Sequence, residues 1–194
     1  MVGGTASVIS GGKFANGAVT GAFQYAFGRV AQREFGATSA DEGGDPLPTD
    51  LSAAPNDEVR REMTSSNPDD RIAAAKAAID RFKIHPLAGR YDLYYRSEQG
   101  ASGLTTYQGG VFSTVTLGPS AYVTWSQLGA TLGHEIEVHV YENAMFGGYV
   151  TNKQYNQREV RAYQYNLDNV ARFGNTLIER AVMEERLRHY GGGQ

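Results

Sequence analysis

The chain has no cysteine. That absence excludes disulfides, thiolate metal sites and cysteine nucleophiles, and leaves the fold tolerant of reducing and oxidising compartments alike. A long apolar run is missing too. No stretch approaches the roughly 20 strongly apolar residues of a spanning helix, so no stable membrane span is expected. The start carries no basic cluster, which argues against a secretory signal peptide. Basic charge is not in excess. With 18 Lys plus Arg against 21 Asp plus Glu, the formal net charge is −3, and no global field draws the chain to nucleic acid. What is present, 41% hydrophobic and 20% charged residues, reads as globular rather than disordered. A length of 194 residues suits one good domain with extra segments.

Composition divides the chain into three parts. Residues 1–36 form a Gly/Ala-rich segment, with seven glycines and one charge, Lys13, between positions 2 and 28. Gly17 and Gly21 give a small-xxx-small spacing, and Phe14, Phe23, Tyr25 and Phe27 add aromatics. A helix there is weak, because each interior glycine costs about 1 kcal/mol relative to alanine. Two readings stand: a flexible connector with docked aromatics, or a membrane-active translocation segment. Residues 37–65 read as an acidic linker, with Asp41, Glu42, Asp45, Asp50, Asp57 and Glu58 among prolines and glycines.

Residues 66–194 carry the periodic patterns and form the expected domain. The expected class is α+β: a small antiparallel sheet followed by a mainly helical C-terminal half. A helix begins at Pro68-Asp69-Asp70, carries Ile72, Ala75, Ile79 and Phe82, and ends before Pro86. Strands are expected at 91–96 and 111–117, separated by glycines 100, 103, 109 and 110. Thr124 is placed to cap a helix bearing Leu128 and Leu132. Two more helices are expected at about 152–173 and 175–190, each ended by glycine.

Two of the four histidines fall in Gly133-His134-Glu135-Ile136-Glu137-Val138-His139, with two carboxylates between them. Such density suits a metal site or an acid–base centre. The spacing is His-Glu-x-x-x-His, one residue longer than the His-Glu-x-x-His of metallopeptidase helices. On a regular helix, residues five apart point roughly 140° away from each other. A π-bulge brings them onto nearly one face. Glu135 and His139, four apart, share a face without distortion. A third ligand is available in Glu159, 20 residues past His139 and on the next expected helix. The metal set is then His134, His139 and Glu159, with Glu135 activating water and Tyr163 or Tyr141 stabilising an oxyanion. Two plainer readings remain: a solvated strand face carrying Glu135, Glu137, His139 and Tyr141, or a solvated helix face. Against them, the segment from Trp125 to Gly148 has no basic residue other than its histidines.

Other polar residues carry less signal. His85 precedes Pro86 and reads as a helix C-terminal cap, and His189 as a solvated helix end. Arg158, Arg161, Arg172 and Arg180 form a basic strip or a solvent face. Tyr91, Tyr94, Tyr95 and Tyr107 are expected to pack on the sheet, with stacking on a base or nicotinamide as the alternative.

The start Gly3-Gly4-Thr5-Ala6-Ser7-Val8-Ile9, followed by Gly11-Gly12-Lys13-Phe14-Ala15-Asn16-Gly17-Ala18-Val19-Thr20-Gly21-Ala22-Phe23, is similar to the segment preceding the toxin tip of bacterial Rhs-repeat proteins. The resemblance covers about the first 30 residues. It implies a pre-toxin segment at 1–36 and a catalytic toxin domain at 66–194. It further implies type VI secretion from a producing bacterium, delivery into a target cell, where the cytoplasm is the expected compartment, and a macromolecular substrate there. The implied partners are a cognate immunity protein, the parent Rhs cage and the secretion machinery. Leu132-Gly133-His134-Glu135 and Glu159-Val160-Arg161-Ala162-Tyr163 resemble the zincin-type metallopeptidase toxins, which implies a zinc cofactor.

A second enzyme class fits part of the pattern. Glu135-Ile136-Glu137 resembles the Glu-x-Glu of one ADP-ribosyltransferase branch, with NAD as substrate, Glu137 as the catalytic glutamate and Arg90 or Arg96 upstream. A metal-independent nuclease using His134 or His139 as base is a third reading. A pore former resting on the first 28 residues is a fourth.

Overall fold

The computed structural model describes residues 51–149 and 151–191, all within one unit, Thr49–Gln194. The Gly/Ala-rich segment 1–36 and residues 37–50 of the acidic stretch lie outside the described residues.

Helix α1, Asp57–Thr64, falls inside the stretch read as linker. Asn56 caps it by accepting a 2.9 Å hydrogen bond from the Val59 N–H. Val59 and Met63, one turn apart, are buried in the core. The packed domain therefore starts before residue 66. Asp57 and Glu58 suggested a solvated linker, but in a first helical turn the same charges complement the macrodipole. Helix α2, Pro68–Phe82, follows with Asn67 as N-cap and Pro68 in its first turn. Ala74, Ala75 and Ala78 are fully buried, and their small side chains let neighbouring elements approach closely. Lys83 ends α2 in the left-handed region at φ 55°, so His85 lies beyond the cap it was expected to form.

The α+β class is observed, but the small sheet is mixed rather than antiparallel. Its strands are β1 (Arg90–Tyr95), β2 (Gly103–Gly109) and β3 (Phe112–Leu117), in the order β1-β3-β2. β2 occupies the glycine-punctuated stretch read as a connection. It pairs antiparallel with β3 through a tight turn at Gly109-Gly110, both with positive φ. β1 is left on the other side of β3, and parallel to it. The 96–102 connection must then cross the end of β3. It does so at Gly118, where a Cβ would lie 2.4 Å from the Ala101 carbonyl oxygen and 2.6 Å from that of Gln99. On β3, Ser113, Val115 and Leu117 are buried, so one face of the sheet meets the helices.

Against that face runs a continuous helical rod. Thr124 caps α3, Trp125–Gly133, by accepting from the Gln127 N–H at 2.9 Å. The rod continues as a π-helical segment, His134–Val140, and closes as α4, Tyr141–Phe146. Leu128, Leu132, Ile136 and Val140 carry its fully buried stripe from end to end. The helix expected at 152–173 is divided at Asn169 into α5, Asn152–Asp168, and α6, Val170–Phe173. A capping box of Thr151 and Gln154 starts α5. Gly174 ends α6 with φ 72°, and α7, Leu177–Gly191, packs along α5. No helix among the described residues is long and apolar enough to cross a membrane.

Candidate metal centre

The whole His-Glu-x-x-x-His run is π-helical. Hydrogen bonds from i to i+5 imply about 4.4 residues and so roughly 80° per residue. Two side chains five apart then diverge by about 50° instead of about 140°. The longer spacing is thus matched by a longer helical repeat. Local chemistry favours this. Ile136, Val138 and Val140 are β-branched and crowd an α-helical turn, while Ile136 and Val140 bury completely in the core.

His134 and His139 meet at their Nε2 atoms, 3.2 Å apart. Glu159, from α5, turns one oxygen to each ring: Oε2 stands 3.5 Å from His134 Nε2, and Oε1 stands 3.4 Å from His139 Nε2. All three side chains are nearly out of solvent, at 8%, 11% and 11% exposure for His134, His139 and Glu159. The three form a group able to hold a metal ion. Their separations decide how well. Bonds of about 2.0–2.1 Å in a tetrahedral site put neighbouring donors about 3.3 Å apart. The 3.2 Å between the two Nε2 atoms is close to that value, and each ring nitrogen also has one Glu159 oxygen at about that distance.

The surroundings favour positive charge between these carboxylates. Burial works against an imidazolium at His139, but the carboxylates of Glu142 and Glu159 outweigh it and raise its pKa to about 10. Burial likewise works against an ionised Glu159, yet hydrogen bonds from His134 and His139 hold its carboxyl well below the usual range. A proton on His139 or a cation between the rings supplies the same need.

Each histidine is also held from behind. Asn166, seven residues after Glu159 on α5, sets its amide nitrogen 3.3 Å from His134 Nδ1. Glu142 stands 3.7 Å from His139 Nδ1 and is itself paired with Arg161 and Arg158 of α5. Arg158 is buried and donates to Asn143 Oδ1 at 2.8 Å and to the Gly147 carbonyl at 2.7 Å. The rim of the site is aromatic. The Tyr163 ring meets His134 edge-on at 4.9 Å and stacks on Tyr190 at 5.8 Å.

Glu135 is 5% exposed and leans toward the sheet edge. Thr105 of β2 donates to Glu135 Oε2 at 2.8 Å. Its charge contributes to raising the pKa of His139 and of Tyr163, so it lies within electrostatic reach of both. Glu137 does not join the cluster. It accepts from Arg172 Nη1 at 2.7 Å, from the Tyr165 hydroxyl and from the His85 backbone N–H at 3.2 Å. Arg172 also donates to the carbonyls of Phe82 and Lys83, so Glu137 ties the π segment to the end of α2 and to α6.

Sequence reasoning brought together His134, His139, Glu159 and Tyr163, and the structure assembles them. It missed Thr105, Glu142 and Asn166. Glu142 stood three residues after His139 and Asn166 seven after Glu159, both on a shared helix face, which was the available signal. It also read the arginines as a strip or a solvent face, whereas Arg158, Arg161 and Arg172 pair with Glu142 and Glu137. Of the four, Arg180 bonds to Glu184 at an exposed position. Compared with known proteins, the chain matches no family model, no curated sequence and no solved structure.

Proposed function

We propose that this domain is a zinc-dependent hydrolase of metallopeptidase type, acting as the delivered tip of an Rhs toxin. The observation that carries the chemistry is the convergence of the two Nε2 atoms, 3.2 Å apart, with the Glu159 carboxylate, whose Oε2 and Oε1 stand 3.5 and 3.4 Å from them. Two imidazoles and one carboxylate are the donor set of hydrolytic zinc sites, and three protein ligands leave a position for water or substrate. When bound, zinc supplies a Lewis acid and makes a water acidic enough to deprotonate near neutral pH. Glu135 is the general base, its carboxyl group oriented by the Thr105 hydroxyl. Tyr163, against His134, is the candidate for oxyanion stabilisation. The delivery reading is supported by the glycine-rich start and its likeness to Rhs pre-toxin segments.

No feature of the structure favours the transferase reading, whose Glu137 is engaged by Arg172 and Tyr165. The test is elemental analysis of purified protein together with growth of bacteria expressing it in the cytoplasm. One zinc per chain is expected, with hydrolysis of a mixed peptide library. Loss of growth arrest is expected for His134→Ala, which also loses zinc, and for Glu135→Gln, which keeps it. A toxic chain with no metal after zinc supplementation refutes the reading, and NAD-dependent labelling of cell components would replace it.

A further inference from the structure

Among the described residues, Glu142 Oε2 and Asn166 Oδ1 are buried acceptors with no hydrogen-bond partner. Their side chains are the two that face the Nδ1 atoms of His139 and His134. An unmade hydrogen bond at a buried acceptor is costly, so two of them beside two metal-ligand candidates call for a cause. A neutral imidazole carries one N–H, and its position decides which nitrogen has a free lone pair. With the proton on Nδ1, His139 donates toward Glu142. A half-turn of the Asn166 amide exchanges Nδ2 for Oδ1 at the same 3.3 Å and lets His134 donate to it. The same choice of tautomer gives the Asn166 acceptor a hydrogen bond and points the His139 N–H at Glu142 Oε2, 3.7 Å away and also facing Arg158. That choice leaves both Nε2 lone pairs directed at the space between the rings and Glu159.

We propose that Asn166 and Glu142 are positioning residues that fix His134 and His139 as Nδ1–H tautomers and so present both Nε2 atoms to one cation. The proposal rests on the metal-site reading above. The opposite tautomer would aim an N–H into the cation's place. Choosing the correct one in advance removes that cost from binding, which is why such outer partners tune metal affinity. Helix α5 organises the whole arrangement. It supplies the ligand Glu159, then Asn166 two turns on, and also Arg158 and Arg161, which hold Glu142 from the other side.

The experiment uses the full chain and zinc, with Kd from competition against a chromophoric chelator. Asn166→Leu removes the acceptor at similar volume and is expected to weaken zinc by about tenfold to a hundredfold. Asn166→Asp restores an acceptor and is expected to stay within about threefold of wild type. Glu142→Gln keeps an acceptor but loses the charge held by the arginines, and should fall between them. Long-range proton–nitrogen correlation spectra of the metal-free wild type should show Nδ1 protonated on both rings before any zinc is added, a readout that decides the matter even if a variant fails to fold. Wild-type affinity in Asn166→Leu, or an unprotonated Nδ1 on either ring of the metal-free protein, overturns the proposal and leaves the metal reading standing. A wild type that binds no zinc overturns both.

Discussion

Adding one methyl group at Gly103 should silence the site without emptying it. Gly103 opens β2, and a Cβ built there lies 2.6 Å from Glu135 Cγ and 2.6 Å from Glu135 Oε1. Ordinary contact begins near 3.4 Å, so the carboxylate has to retreat by about 0.8 Å. The struck atoms run from Cγ to Oε1 of one side chain and none is backbone, and the Gly103 backbone is not in the left-handed region, so Glu135 is what has to move. The cost in stability should be about 1–3 kcal/mol, the range of overpacking penalties. The 2.8 Å bond from Thr105 to Oε2 constrains the same carboxylate, and both cannot be kept. A displacement of about 1 Å in a group that must meet the reacting atoms costs on the order of a hundredfold in rate. Gly103→Ala should therefore bind one zinc per chain, melt no more than about 10 °C below wild type, and lose about a hundredfold in peptide hydrolysis and most of its growth arrest. The assay pairs metal analysis and thermal melting with the rate on the best peptide found for wild type. A Gly103→Ala protein that keeps the wild-type rate, beside a dead Glu135→Gln, would show that the placement of Glu135 by β2 is irrelevant to its role.

Zinc should also act on stability, because its ligands come from the π segment and from α5. At free zinc a hundred times Kd, mass action adds about 2.7 kcal/mol, or about 5–10 °C in melting temperature for a domain of this size; a chelator should reverse the gain, and His139→Ala should abolish it. An absence of any shift at saturating zinc would break the proposed link between the two elements. Arg172→Ala removes the guanidinium shared by Glu137, Phe82 O and Lys83 O, and leaves Glu137 partly buried without its charge partner. Because Arg172 is 30% exposed, solvent screens part of that loss, and about 1–3 kcal/mol of destabilisation is expected by urea unfolding. Zinc stoichiometry should not change, and a lost metal would contradict the separation of Glu137 from the site.

Much of the helical framework was legible because its signals are local. Pro68 with Asp69 and Asp70, Thr124 before Trp125 and Gly174 after Phe173 are caps that act within one turn, and the structure places helix ends at each. The sheet was less legible. β2 is bounded by Gly103 and Gly109 and its burial does not alternate along the strand, so no alternation announced it, and without it β1 and β3 read as an antiparallel pair. Helix α1 was hidden for a different reason: two acidic residues look the same in a linker and in a first helical turn until Val59 and Met63 have something to pack against.

The site itself turned on a conflict between two periodicities. Ile136, Val138 and Val140 alternate as a strand does, while His134 and His139 are too far apart for one face of an α-helix. A π segment resolves both, because it loosens the turn around β-branched residues and carries position i+5 back over position i. Such a segment is a poor helix in isolation, so its partners must hold it. Ile136 and Val140 are sunk in the core, Glu137 is bound by Arg172 and Tyr165, and Glu135 is bound by Thr105. Residues with no part in ligation thereby fix the angle at which the two imidazoles meet. The extra residue in His-Glu-x-x-x-His does not remove the metal geometry; it transfers the burden of maintaining that geometry from the local helix to the tertiary fold.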